Sequence, residues 1–257
     1  MKIFITCAIA FLSYFSIRAQ YSEWVATDRP CQTMNPASIG KKVIQMQTGY
    51  TNGRIGGESK SNYNIIDTKL RFGVLERGDI SFGAVAGWYN VPGDVSSTQE
   101  RIDLYTINAR YNIYQGEGAA PSVGAEVGVG FPVEDYELLD DLNFRAVLSL
   151  SSAVSDNFAI TANIITNRPE NLEFTLNFAY AFTERIGAVA EYWAIFESGI
   201  DNRDAGYANF GAYYNLSNNF QLDVAVFNMV DKGDREESNF TDLQFQVGFT
   251  SRLNWRD

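Results

Sequence analysis

From Lys42 to Leu253 the chain alternates apolar and polar residues with a period of two, in about a dozen separate runs. No other feature restricts its fold as strongly. Successive side chains of an extended strand point to opposite faces, so such runs build strands with one apolar and one polar side. Ile44, Met46, Thr48 and Tyr50 alternate with Gln45, Gln47 and Gly49, and Ile66, Thr68, Leu70 and Phe72 with Asp67, Lys69 and Arg71. The same rhythm runs through Tyr105–Ile113, Val123–Phe131, Phe144–Leu150, Phe158–Ile164, Phe174–Tyr180, Ile186–Tyr192, Tyr207–Tyr214 and Phe220–Val226, and closes on Leu243–Phe249. No segment after the first twenty residues carries a convincing helical period.

A soluble sandwich also alternates, so the connections must separate the two cases. Short polar turns occur at 76–79, 155–157, 183–185 and 217–219. Longer polar stretches lie between them at 51–62, 89–100, 132–142, 166–172, 196–204 and 228–241. Alternation of short and long connections is the layout of an outer-membrane barrel, with tight turns on the periplasmic side and longer loops outside. A Greek-key sandwich gives no reason for it. If the first strand runs outward, Tyr50, Trp88, Phe131, Tyr192 and Phe227 fall at outer strand ends and Tyr111, Tyr180, Tyr213 and Phe249 at inner ones. Two aromatic bands suit the two interfaces of a bilayer. The fold expected is all-β: an antiparallel up-and-down transmembrane β-barrel of about twelve strands over residues 42–257.

Composition narrows the rest. The 257 residues are 46% hydrophobic and 14% aromatic, too rich in packing residues for a disordered chain. No internal run reaches the 18–20 apolar residues of a membrane helix. A formal charge of −11 argues against nucleic acid as a partner. The chain has no histidine, which removes imidazole bases, Ser-His or Cys-His nucleophile pairs and imidazole metal ligands. Residues 1–19 read as a secretory signal peptide, with a basic start at Lys2, an apolar core from Ile3 to Phe15 and Ala19 before the cut. Its removal takes away Lys2 and Arg18, moving the charge from −11 to −13, and takes Cys7, leaving Cys31 as a lone packing thiol.

The polar strand faces supply the candidate site. Gln45, Gln47, Asp67, Lys69, Arg71, Arg110, Glu126, Arg145, Glu191 and Asp223 are expected to line the lumen. An Arg or Lys turned to lipid near the midplane costs about 2–4 kcal/mol. Charges of both signs can line a wet pore or lock together as ion pairs, and the sequence leaves both open. The acidic stretches Glu134–Asp141 and Asp231–Glu237 match no calcium loop and read as solvated outer charge. No phosphate loop, nucleotide fingerprint, metal site or cofactor motif is present, and no catalytic residues are expected.

Residues 20–41 do not alternate, and Pro30 and Pro36 make them an irregular lead-in. Here Thr27-Asp28-Arg29-Pro30, Gln32-Thr33, Pro36-Ala37-Ser38, Gly40-Lys41 and the strand Gln45-Met46-Gln47-Thr48-Gly49-Tyr50 resemble the start of the family named for a MetA pathway of phenol degradation. The chain departs from the family pattern at Cys31 and at Gln47. The resemblance implies an outer-membrane β-barrel transporter without catalytic residues. Its expected partners are outer-membrane lipids and small solutes, aromatic or other small organic molecules. A non-transporting barrel that assembles with another outer-membrane protein is the alternative. The lead-in is expected either to hang in the periplasm or to enter the lumen, with Asp28, Arg29 and Pro30 as plug candidates pairing with Arg71, Arg145 or Glu191.

Overall fold

The computed structural model describes residues 25, 27–55, 61–90, 98–132, 143–168, 171–197, 203–231 and 241–254. The signal peptide read at 1–19 and the acidic stretches 134–141 and 232–237 lie outside these residues. Twelve strands follow in order: β1 (Val43–Ile55), β2 (Ser61–Leu75), β3 (Gly78–Asn90), β4 (Thr98–Tyr114), β5 (Ser122–Pro132), β6 (Asn143–Ser155), β7 (Phe158–Arg168), β8 (Asn171–Ala181), β9 (Ile186–Glu197), β10 (Arg203–Ser217), β11 (Phe220–Asp231) and β12 (Thr241–Asn254). Each pairs antiparallel with its chain neighbours, and β1 pairs with β12, so the expected up-and-down barrel is closed. Closure leaves no sheet edge, which a membrane requires because lipid offers backbone groups no hydrogen bonds. The shortest strands have 11 residues. At about 3.3 Å per residue and a tilt near 45°, such a strand covers about 25 Å of bilayer.

Burial is inverted relative to a water-soluble protein. Phe144, Phe210, Val127 and Phe245 stand exposed on the outside, whereas Gln45, Arg71, Glu126, Asn112 and Thr250 are sealed within. An apolar exterior around a polar interior is the arrangement of a barrel whose solvent is lipid.

The ends of the barrel differ. At the end shared with residue 43 and residue 254, connections occupy 76–77, 156–157, 182–185 and 218–219, with a longer one at 115–121. That last connection has no counterpart in the alternation of loop lengths, because Gly116, Gly118 and Pro121 were the only local signals for it. The long connection expected at 166–172 is instead mostly strand, since β7 runs to Arg168 and β8 begins at Asn171. Asn167 and Glu173 hydrogen-bond across this hairpin.

Two of the nine aromatic residues lie toward the expected strand ends but point into the barrel, not to the bilayer interface. Phe227 is buried on the same inner face as Asp223 and Ala225. Tyr213 shares the inner face of β10 with Asn209 and Asn215. Its ring lies over Gly187, its cross-strand partner, where a Cβ would come within 2.3 Å of the ring. Period two fixes the face, and an inner glycine leaves room that an aromatic ring fills.

Candidate functional site

The barrel is not empty. Residues 27–42 run up from the turn end into the lumen, reach a tip at Asp28–Thr33, and return, so that Thr27 again lies below the tip. The levels follow from the wall: Gly40 lies against Gly73 and Pro36 against Gly124 near the turn end, while Arg29 lies against Gly49 and Gly248 midway along their strands. The segment has no strand partner, so its own side chains hold its bends. The Arg29 N–H donates to Thr27 Oγ1 at 3.0 Å, the Asn35 N–H to Asp28 Oδ1 at 3.0 Å, and the Ala37 N–H to Asn35 Oδ1 at 2.9 Å. Gly40 and Lys42 turn the chain into β1 with φ of 81° and 62°.

Adjacent Asp28 and Arg29 enter neighbouring sockets of opposite charge. Arg110 donates two bonds to Asp28, at 3.0 and 2.6 Å, and Lys69 approaches to 4.0 Å. Glu126 accepts from the same Arg110 at 3.0 and 2.8 Å, from Lys69 at 3.3 Å and from Arg145 at 2.7 Å, binding three cations together. Burial alone would raise the Asp28 pKa. The charges of Arg110, Arg71 and Lys69 outweigh it and hold the carboxyl well below the usual carboxylate range. Arg29 donates to both oxygens of Asp67, at 3.3 and 3.2 Å, to Asp223 Oδ2 at 3.4 Å and to the Val247 carbonyl at 3.3 Å.

The wall beneath Arg29 is a continuous row. Asp67 pairs with Gly49, Gly49 with Gly248 and Gly248 with Asp223, across β2, β1, β12 and β11. Carboxylates flank two glycines, and the guanidinium lies on the glycines. A Cβ added at Gly49 would fall 2.0 Å from Arg29 Nη1, and one at Gly248 would fall 2.4 Å from Nη2.

Wall side chains satisfy the rest of the segment. Glu191 accepts the Gln32 and Thr33 N–H groups at 3.0 and 2.6 Å and the Thr33 hydroxyl at 2.5 Å. Asn163 accepts the Met34 N–H, while Ser149 and Asn163 donate to the Met34 carbonyl. Asn112 and Asn209 donate to the carbonyls of Pro36 and Pro30 at 3.2 and 3.1 Å. Met34 packs on Val147 and Ile165 as an apolar patch inside the lumen.

All ten residues singled out on the strands lie on the inner face: Gln45, Gln47, Asp67, Lys69, Arg71, Arg110, Glu126, Arg145, Glu191 and Asp223. Their pairing differs from expectation. Arg71 is bound by Asp79 at 2.9 Å through two nitrogens, Arg145 by Glu126, and Glu191 by backbone N–H groups; Asp28 takes Arg110 and Arg29 takes Asp67 and Asp223. Arg71 and Arg145 are engaged by carboxylates of the wall itself, and Glu191 by the backbone of Gln32 and Thr33 in the segment. Sequence reading missed Asp79, which it placed in a turn. It also missed the inner asparagines Asn163, Asn177 and Asn209, whose signal was their place on the polar phase of β7, β8 and β10.

Below the tip, between the segment and the wall from β6 to β11, lies a cavity of about 450 Å³ lined by Cys31, Thr161, Asn177, Tyr213, Asn215 and Gln221 among others. Asn177 donates to Cys31 Sγ at 2.9 Å, and burial, with Glu191 nearby, pushes the Cys31 thiol pKa well up, which keeps it protonated and inert. Above the tip, Trp193 stacks on Tyr207 with ring centroids 5.0 Å apart and donates to Glu173 at 2.9 Å.

Solved structures share this architecture. An outer membrane channel from Pseudomonas putida F1 is 12% identical, with 85% of this chain and 98% of that chain covered and a TM-score of 0.65. The NanC porin is 10% identical, covering 82% and 100%, with a TM-score of 0.54. The KdgM porin in complex with disordered oligogalacturonate is 15% identical, covering 81% and 98%, with a TM-score of 0.51. In sequence the chain matches no curated protein. The closed barrel, its apolar exterior and this shared fold are those of an outer-membrane β-barrel. The family described as "Putative MetA-pathway of phenol degradation" matches residues 24–245, and the chain belongs to it.

Proposed function

We propose that the protein is a passive outer-membrane channel for small solutes whose lumen is closed at mid-height by residues 27–41. The observation that carries this reading is the polar, charged inner wall of a twelve-stranded barrel, with an irregular segment held against it by side chains rather than by strand pairing. Barrels of this size lie between the filled eight-stranded and the open sixteen-stranded kinds. One inserted segment therefore suffices to control passage. In this reading the turn end faces the periplasm and the opposite ends of the strands face outward. Aromatic or other small organic molecules are the solute class that the family suggests. The barrel binds lipid on its outer face, does no chemistry and needs no cofactor.

Planar-bilayer recording tests this. The wild-type barrel is expected to conduct weakly, and deletion of residues 21–40 to raise the single-channel conductance severalfold. The ion-paired segment also favours a second reading, a barrel that serves as a structural subunit beside another outer-membrane protein. A deletion variant that folds and does not conduct would establish that one.

A further inference from the structure

The Asp67–Gly49–Gly248–Asp223 row has the features of a binding site rather than of a chance ion pair. Its floor is flat because neither central residue has a side chain, and a flat floor between two carboxylates matches a planar cation with a fork of N–H donors. A compact ammonium would leave this floor uncovered. The acceptor capacity is not exhausted by Arg29. Asp223 is fully buried, and its Oδ1 lies 3.2 Å from Nη2 without a hydrogen bond. The site is also reachable, since the Asp67 side chain remains 39% exposed at the upper edge of the segment. Beside it, Lys69 and Arg145 are 23% and 32% exposed and form a cationic rim on the same level of the lumen. The tip of the segment thus sets one carboxylate and one guanidinium into two sockets that a dipolar solute would fill in the same way.

We infer that the glycine-floored row is a guanidinium-selective solute site, occupied in the closed protein by Arg29, and that solutes carrying a guanidinium and a carboxylate compete with the Asp28-Arg29 tip for it. This rests on the channel reading for its consequence, but the binding itself does not. The test is chemical rescue in the full-length chain. Detergent-solubilised R29A should melt at a higher temperature with millimolar methylguanidinium. Methylammonium should need a severalfold higher concentration, and the wild-type protein should not respond. Adding D67N to R29A should abolish the response. If R29A does not fold unaided, its refolding yield as heat-modifiable barrel in each of the two cations gives the same readout. Equal effects of the two cations, or none from methylguanidinium, overturn the site. In proteoliposomes carrying R29A, arginine should compete with transport of a small neutral solute, and its isostere citrulline, whose side chain is a neutral urea in place of the guanidinium, should not. Melting reports the site and conductance reports the channel, so a barrel that binds methylguanidinium yet never conducts would remove the channel reading and leave the site standing.

Discussion

The two sockets at the tip of the lumen segment hold their charges in different ways. Around Asp28 the wall is crowded: Arg110 forks between Asp28 and Glu126, and Glu126 also gathers Lys69 and Arg145. Removing one member leaves the others compensated. Around Arg29 the wall is sparse, with two carboxylates, one carbonyl and two glycines. The first socket works by number of charges and the second by shape. A shape-held ion can be expelled without changing any charge, whereas a charge-held ion is buffered against single losses.

Steric filling of the Arg29 row should therefore have the largest effect. Gly49→Leu places side-chain atoms where the guanidinium lies and leaves Asp67 and Asp223 uncompensated. Breaking a buried pair in this way costs about 3–5 kcal/mol, enough to shift the tip out of its socket. Gly49 has no left-handed backbone, so the strand itself tolerates the change. Heat-modifiable migration on denaturing gels should persist while conductance rises. Wild-type conductance from a folded G49L barrel would contradict the shape argument. Asp28→Asn should act in the same direction but less, by about 1–3 kcal/mol, because Arg110 keeps Glu126. Arg145→Ala removes a partly exposed pair and should change closure by less than about 1 kcal/mol. If R145A opened the channel as far as G49L does, the two sockets would not differ as described.

The contrast also explains what could be read from the sequence. Strand faces follow from period two, so most lumen charges on strands were legible, with Asp79 at the start of β3 the exception, and strand number followed from the count of alternating runs. Asp28 and Arg29 stood out because ionic residues beside proline in a non-alternating stretch need a reason. Their partners were not legible. Which strand lies across a closed lumen depends on barrel curvature and register, and Asp223 is 194 residues from Arg29 in sequence. The glycine floor was hidden for the same reason: Gly49 and Gly248 become one surface only when β1 meets β12. Tyr213 and Phe227 misled because position along a strand says which end a ring occupies, whereas only phase says which face.

The smallest expected effect concerns pH, and it separates the sockets again. The Asp28 carboxyl lies below its ordinary range in the docked segment, because the surrounding cations outweigh its burial, whereas in a released segment it would titrate near an ordinary aspartate, at about 3.9. A group whose pKa is depressed by docking stabilises docking fully above its free value and loses that contribution as pH falls through and below it. Asp28 should therefore hold the tip with constant strength from about pH 8 to pH 5, and its share should weaken only in stronger acid. Conductance of the wild-type barrel is expected to be flat over the neutral range and to rise only below it. D28N, already missing that charge, should show a weaker rise on the same acid limb. Opening of the wild-type channel between pH 7 and pH 5 would mean that a group other than Asp28 controls the tip, and the crowded socket would lose its claim to be the buffered one.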